Sequence, residues 1–494
     1  MANNIVKDFG INNSDSSDIG VRSLSPTGEI TTDGTQSQLA SCSGGVMASS
    51  HIRVRFAPSP TGEMHLGNMR TAIVNYLFAK SLGGKFLLRI EDTDGVRSKK
   101  EYEISLLDKL DLMGITVDEP IVYQSKNIAY HQKIAHGLLE KKKAYYCQCP
   151  SKGDDCTVQI TCPCEALQYD EGAIRCKITD ETLSFDDFIM GSCKTQGKDV
   201  QDFIILRNDG TPTYNLSVVC DDNTMAITHI IRGNDHLSNT FKQVAIYNAM
   251  GWPVPKTAHL PLIINMEGKK LSKRDGDISI KTYLKNGFLP ETLMSFLVRM
   301  GWSYKDEEIF TRQRLLEIFP LGKFQKSSAC YNESKLLFQN KHFLSQRSWS
   351  SLAPFIFNYW QINQVIDEPM AIQGFDLIKS RCNTGTQLAQ SMATYMDEVF
   401  NYNYDPCFIN DKNMEPFTWI EEFFDNLEGL SHDGLTDYNH LNDFMKSKGW
   451  EPKSYQQLLR YALTGEIVGP HLMDIINVLG LKLAQKRIAK FLKK

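Results

Sequence analysis

Between Arg55 and Asn68 the chain reads Arg-Phe-Ala-Pro-Ser-Pro-Thr-Gly-Glu-Met-His-Leu-Gly-Asn, a stretch suited to holding an anion. His65 and Thr61 add side-chain donors, and Gly67, lacking a Cβ, lets backbone approach a ligand closely. Taken alone, the same residues also describe a tight turn with a surface histidine. Arg55 and Arg232 each end a strand-like run, and arginine is the natural fork for a carboxylate. Glu91-Asp-Thr-Asp94 follows an apolar run, where open α/β sheets bind ligands, although Asp94 could simply cap the next helix. Gly268-Lys-Lys-Leu-Ser-Lys-Arg-Asp-Gly276 reads either as a mobile basic loop or as a surface turn. Cys147, Cys149, Cys162 and Cys164 form two Cys-x-Cys pairs that could supply four thiolates to a tetrahedral structural zinc. Cys156 is a competing ligand, and free thiols packed as small hydrophobes fit the same spacing.

The elements that must position these groups follow from periodicity. Arg53 to Ala57 is β-like, and Met69, Ala72, Ile73, Tyr76 and Leu77 recur at helical spacing. The result is a strand, a Pro/Gly-stiffened turn and a helix start, where backbone donors and the helix dipole favour a phosphate. The string is neither G-x-G-x-x-G nor a Walker A loop. Lys85 to Ile90 is continuously apolar, as in a parallel sheet covered on both faces. Residues 125–207 read as an insertion, with a helix around Tyr130 to Lys142. Strand-like sequence returns at Gln201 to Arg207 and Thr228 to His236, and Asn208 to Leu216 is a turn entering a helix. Phe288 to Trp302 is an amphipathic helix ended by Gly301, and beyond residue 346 the pattern is helical, clearest at Tyr455–Leu463 and Leu472–Leu479.

Three strings together resemble one family. Pro58-Ser-Pro-Thr-Gly62 with His65-Leu-Gly-Asn68 is similar to the HIGH signature of class I aminoacyl-tRNA synthetases, in its glutamyl form. Ile90-Glu-Asp-Thr-Asp94 resembles that family's I-E-D-T-D motif, and Lys270-Leu-Ser-Lys-Arg274 its KMSKS loop. The resemblance runs from about Ile52 to the C-terminus and is densest before residue 340. It implies an α/β Rossmann-like catalytic domain with an inserted acceptor-arm subdomain, followed by an all-helical C-terminal anticodon-binding domain. The expected divisions are 1–50 as a disordered extension or mis-assigned start, 51–124 and 208–265 as catalytic halves, 125–207 as the insertion, 266–345 as the KMSKS and stem-contact region, and 346–494 as the anticodon domain.

By resemblance, Arg55, Ala57, Ser59, Glu91, Tyr214 and Arg232 bind glutamate. Glu91 would face its ammonium and Arg232 its side-chain carboxylate. His65, Gly67, Asn68, Lys270, Ser272 and Lys273 bind ATP, with His65, Lys270 and Lys273 stabilising phosphate charge beside Mg2+. Some relatives hold zinc with Cys-x-Cys and a later pair, for which Cys147, Cys149, Cys162 and Cys164 are the counterparts, whereas Cys176 matches a core position. The implied reaction is ATP-dependent ligation of L-glutamate to tRNA(Glu) through glutamyl-adenylate, formed only when tRNA is bound. Charging of tRNA(Gln) is the alternative. A short paralogue that glutamylates a modified tRNA base would lack the helical C-terminal part, and a silent tRNA-binding paralogue would have lost His65, Glu91 or Lys273.

Composition sets outer bounds. At 494 residues the chain exceeds one domain. Its net charge of −4 requires any RNA-binding charge to be locally concentrated. Lys141–Lys143, Lys269–Arg274 and the tail from Lys482 are such runs, the tail alone reading best as a solvated face. No apolar run approaches the roughly 20 residues of a membrane span. The first 50 residues are rich in Ser, Asn, Asp, Gly and Thr and read as a disordered lead-in, with Met47 as a candidate true start. They lack the apolar core of a secretory signal and are a poor transit peptide. Scattered thiols suit a reducing compartment, so a cytoplasmic setting is expected; the chain is also expected to be a monomer, with oligomeric state left open.

Overall fold

The computed structural model describes residues 52–149, 162–179, 181–271, 279–358, 360, 368–394, 443, 446–449 and 452–492. They fall into two units. One runs to Ile280 and takes in Leu297–Tyr331, and the other comprises Lys281–Phe296 and the chain from Asn332 onward. Residues 266–345 therefore divide between the units. Cys156, Ser272, Lys273 and the N-terminal lead-in lie outside the described residues.

The first unit is built on a seven-stranded sheet. In chain order its strands are β1 (Arg53–Phe56), β2 (Lys85–Ile90), β3 (Val122–Tyr123), β6 (Thr182–Asp187), β7 (Gly191–Gln196), β9 (His229–Gly233) and β10 (Lys256–Leu260). Their spatial order is β3-β2-β1-β9-β10-β6-β7, parallel apart from the β6–β7 hairpin. The apolar run of β2 is buried from Phe86 to Ile90, as its lack of alternation predicts. From β1 the chain moves one way, to β2, and from β9 the other way, to β10. The β1–β9 boundary is thus a switch point, where loops at the strands' C-terminal ends part and leave a crevice.

Helix α1 (Leu66–Ser81) leaves β1 through the Pro/Gly turn. It is buried on nearly every side, with Met69, Ile73 and Leu77 fully enclosed and polar Arg70 and Asn75 buried among them. Buried Asn75 donates from Nδ2 to the Ile231 carbonyl at 2.9 Å, tying α1 to β9. Helix α2 (Lys100–Leu112) links β2 to β3.

The expected insertion is split. Strands β4 (Ala144–Cys147), β5 (Ala173–Cys176) and β8 (Phe203–Leu206) form a separate antiparallel sheet. Its core is shared with α3 (Ile128–Glu140), α4 (Tyr214–Thr224) and α5 (Leu237–Met250), and Cys176 lies fully inside it. Between them, β6 and β7 return to the main sheet, so residues 182–196 extend the catalytic platform rather than the insertion. Nothing in a short strand's own residues says which sheet it joins.

The second unit is helical where described, including Glu333–Gln346, Pro452–Thr464, Leu472–Leu479 and Leu481–Leu492. Asn340 is its polar hub. Its Oδ1 accepts from Leu289 N and Thr292 Oγ1, both at 2.9 Å, and its Nδ2 donates to the carbonyls of Gly287 at 3.0 Å and Asn383 at 2.7 Å. The basic tail is only partly a solvated face: Arg487 is buried and donates to the Leu463 carbonyl at 2.7 Å. Among the described residues no helix is long and apolar enough to cross a membrane.

Candidate active site

A cleft of about 520 Å³ opens at the switch point. It is lined by Arg55, Ala57, Ser59, Thr61, His65, Gly67, Asn68, Glu91, Tyr214, Arg232 and Lys270. The described members of the expected glutamate and ATP sites are therefore brought together, from β1, α1, the end of β2, α4, β9 and the start of the basic loop.

His65 forms the N-cap of α1. Its Nδ1 accepts from Gly67 N at 3.1 Å and Asn68 N at 3.3 Å, satisfying donors that the helix cannot. With Nδ1 accepting, the neutral ring carries its proton on Nε2. The glycine has a sharper reason than ligand approach. A Cβ at Gly67 would stand 3.0 Å from His65 Cε1 and 3.1 Å from Nδ1, against the ring itself.

The floor is a buried charge network. Asp222 accepts from Arg55 Nε at 3.0 Å and from Arg89 Nη1, and Arg89 Nη2 donates to Glu91 at 3.1 Å. Asp221, also buried, accepts from Gln124, Asn127 and His131 at 3.0, 2.9 and 2.8 Å. Burial works against the charge of Arg89, but Asp222, Glu91 and Asp221 outweigh it and hold the guanidinium above its ordinary pKa. Burial raises the Glu91 carboxyl, with Arg89 offsetting part of the rise. Arg55 and Arg89 thus pair with Asp222 and Glu91 in one buried network, which leaves Glu91 as its carboxylate that lines the cleft.

Arg232 is the opposite case. It is 6% exposed, and its partners are His259 Nε2 at 3.1 Å, Thr240 Oγ1 at 2.7 Å, Gln243 Oε1 at 2.9 Å and the His236 carbonyl at 3.4 Å. None of these is a carboxylate, and Nη1 is buried with no hydrogen-bond partner. A buried guanidinium with no carboxylate hydrogen-bonded to it is costly, and an incoming anion relieves the cost. Tyr214 stands beside it, its hydroxyl 3.2 Å from His236 Nδ1. Glu91 and Arg232 thus line one cleft.

The two ends of the basic loop meet the same cleft. Lys270 reaches Asp235 at 3.2 Å, while Ser279 pairs with His65, and Ile280 N donates to the Met64 carbonyl at 2.9 Å. Arg70, which the sequence did not mark, is buried and donates to the carbonyls of Met300, at 3.0 Å, and Pro261. Burial lowers its pKa to about 10. Asp92 and Asp94 serve structure: Asp92 accepts from Ser125 N at 2.8 Å, and Asp94 closes a turn on Arg97 N at 3.0 Å. Arg89, Asp187, Asp222 and His259 also escaped the sequence reading, since partners paired across strands leave no local signal.

Away from the cleft, the Sγ atoms of Cys147, Cys149, Cys162 and Cys164 lie within 4.8 Å of one another. The sulfurs of Cys147 and Cys162 are 3.6 Å apart, those of Cys149 and Cys162 3.4 Å, and those of Cys149 and Cys164 3.5 Å. A tetrahedral zinc with bonds of about 2.3 Å needs sulfur separations of about 3.8 Å, so the quartet fits with little movement. Burial opposes ionisation of Cys147, but the Cys149 N–H and the Arg175 guanidinium prevail and bring its pKa to about 7.

The site is thus a parallel sheet that carries a histidine-capped turn and a basic loop stem at its switch point. The family model "tRNA synthetases class I (E and Q), catalytic domain" matches residues 51–153 and 165–338, and "Anticodon binding domain" matches 348–492. Glutamate–tRNA ligase 1 of Helicobacter hepaticus is 36% identical over 459 residues, covering 89% of this chain and 98% of that protein. Its namesake in Orientia tsutsugamushi is 37% identical over 471 residues, covering 89% and 97%. The crystal structure of the glutamate-tRNA synthetase from Elizabethkingia anophelis superposes with a TM-score of 0.75 at 28% identity, covering 90% of this chain and all (100%) of that one. The chain belongs to the glutamate–tRNA ligase family of class I aminoacyl-tRNA synthetases.

Proposed function

We propose that the cleft joins L-glutamate to ATP and passes the glutamyl group to tRNA(Glu). The observation that carries this is the layout of polar groups in one cleft: a buried carboxylate at Glu91, and a guanidinium at Arg232 whose Nη1 has no hydrogen-bond partner. Glutamate presents one ammonium and two carboxylates. Its ammonium faces Glu91 and its side-chain carboxylate meets Arg232, which leaves the α-carboxylate beside the His65 turn. That carboxylate attacks the α-phosphorus of Mg–ATP, and pyrophosphate leaves. The terminal ribose hydroxyl of tRNA then attacks the carbonyl carbon, and AMP leaves. Positioning and neutralisation of phosphate charge supply most of the rate. His65 Nε2–H and Lys270 would meet the phosphates, and by resemblance Ser272 and Lys273 complete that role. Mg2+ would accompany ATP and supply charge neutralisation at the phosphates. Asp235 is a cleft carboxylate suited to join it.

Cys147, Cys149, Cys162 and Cys164 would hold a structural zinc, which fastens the chain on both sides of residues 150–161. All nine cysteines among the described residues are free, which accords with a reducing, cytoplasmic setting. The protein is read as a monomer. The test is aminoacylation with labelled glutamate on purified tRNA(Glu) and tRNA(Gln) in separate reactions. Charging of tRNA(Glu) alone is expected. Charging of both would make the enzyme relaxed, and charging of neither by folded protein with Mg–ATP would overturn the reading. Pyrophosphate exchange is expected only when tRNA is present.

A further inference from the structure

Arg232 is held from behind by a chain of groups that crosses three adjacent strands. In register on β10, His259 lies directly beside Arg232 of β9, and its Nε2 accepts from Arg232 Nε at 3.1 Å. His259 Nδ1 meets Asp187 Oδ2 at 2.6 Å, at the end of β6. Asp187 is itself fixed: its Oδ1 accepts from Ile189 N at 3.0 Å, Met190 N at 2.9 Å and His259 N at 3.2 Å. Asp187 is 3% exposed and His259 is fully buried, at 0%. A buried carboxylate on Nδ1 makes that nitrogen the donor and leaves Nε2 as an acceptor. His259 therefore offers Arg232 a neutral lone pair rather than a second charge.

We infer that Asp187 and His259 are positioning residues that set the selectivity of the cleft for a carboxylate over an amide side chain. They fix the plane of the Arg232 guanidinium and turn its unpartnered Nη1 to the ligand. Because His259 contributes no negative charge, the positive charge stays available to the substrate. A carboxylate at the His259 position would satisfy Arg232 internally, and glutamate would lose its advantage over glutamine. The inference rests on the reading that Arg232 binds the side-chain carboxylate, and the variants below separate the two.

The experiment is steady-state aminoacylation by the full chain with tRNA(Glu), comparing wild type, His259→Gln, His259→Glu and Arg232→Ala. KM is measured for glutamate and for ATP, and kcat/KM for glutamate against glutamine. His259→Gln retains an acceptor for Arg232 Nε and is expected to keep most of the glutamate affinity. His259→Glu is expected to raise KM for glutamate about tenfold or more, to leave KM for ATP in place, and to narrow the glutamate preference by a similar factor. An unchanged glutamate KM and preference in His259→Glu, with Arg232→Ala impaired, overturns the positioning role and leaves the substrate reading standing. An unchanged glutamate KM in Arg232→Ala overturns both. If His259→Glu does not fold, Asp187→Asn replaces it. A glutamate-specific rise in KM then supports the role, and equal changes in both KM values or none sink it.

Discussion

At the scale of single residues, the cleft works through atoms left deliberately partnered or unpartnered. His65 spends one ring nitrogen on the N-terminus of α1, which fixes the proton on the other, and Gly67 leaves room for that geometry. Gly67→Ala would push a Cβ against the ring, and the ring must shift by a few tenths of an ångström. Alanine in a helical first turn does not itself weaken the helix. The variant should therefore melt at or slightly above the wild-type temperature, yet lose about tenfold in kcat/KM for ATP through misplacement of His65. A full-activity variant would show that the ring position is immaterial. The motif resemblance marked His65, Glu91 and Arg232, and all three line the cleft. It left Asp187 and His259 unmarked. Their meaning lies in the register of β6, β10 and β9, and register is a property of pairing between distant segments.

Among the elements, long periodic stretches were read directly. The apolar run of β2, the helix after the His65 turn and the helix Leu472–Leu479 all stand where the pattern put them. Residues 125–207 read as one insertion, whereas β6 and β7 within them belong to the main sheet. The alternating burial of β6 is equally good in either sheet, so only the tertiary partner decides. The cysteine quartet was legible because metal-ligand spacing is itself local. Its geometry gives a clean test. Purified wild type should contain about one zinc per chain, and Cys164→Ser well under half of that, by atomic emission. Chelation should also loosen the β4–β5 hairpin, seen as faster amide exchange around Ala144–Cys147 and Ala173–Cys176, while α1 keeps its protection. Equal zinc in both proteins would exclude the site.

At the scale of the whole molecule, an acidic chain must hold its carboxylates in place to stay folded as pH falls. Glu119 ties two strands at once: Arg53 of β1 at 2.7 and 2.9 Å, and Lys85 of β2 at 2.9 Å. Those hydrogen bonds bring its pKa from the ordinary 4.5 down to about 2. The sign follows: the contribution is fully present above the ordinary value and is lost as pH falls from there through about 2. Urea midpoints of wild type and Glu119→Gln should differ by a constant amount near neutral pH and converge on acidification. A gap that persists at the acid end would assign the effect to packing instead.

The central pairing of the sheet also has a history in time. Strand β1 finds β2 almost at once, but its other edge waits for β9, 175 residues further along the chain. At roughly 5–20 residues per second of synthesis, that edge stays open on the order of ten to thirty seconds. During this interval the short strand Arg53–Phe56 keeps one edge of unpaired backbone groups. The β1–β9 pairing is thus expected to close late, and a holding chaperone, if one acts on this chain, is expected to bind before the segment carrying Arg232 leaves the ribosome.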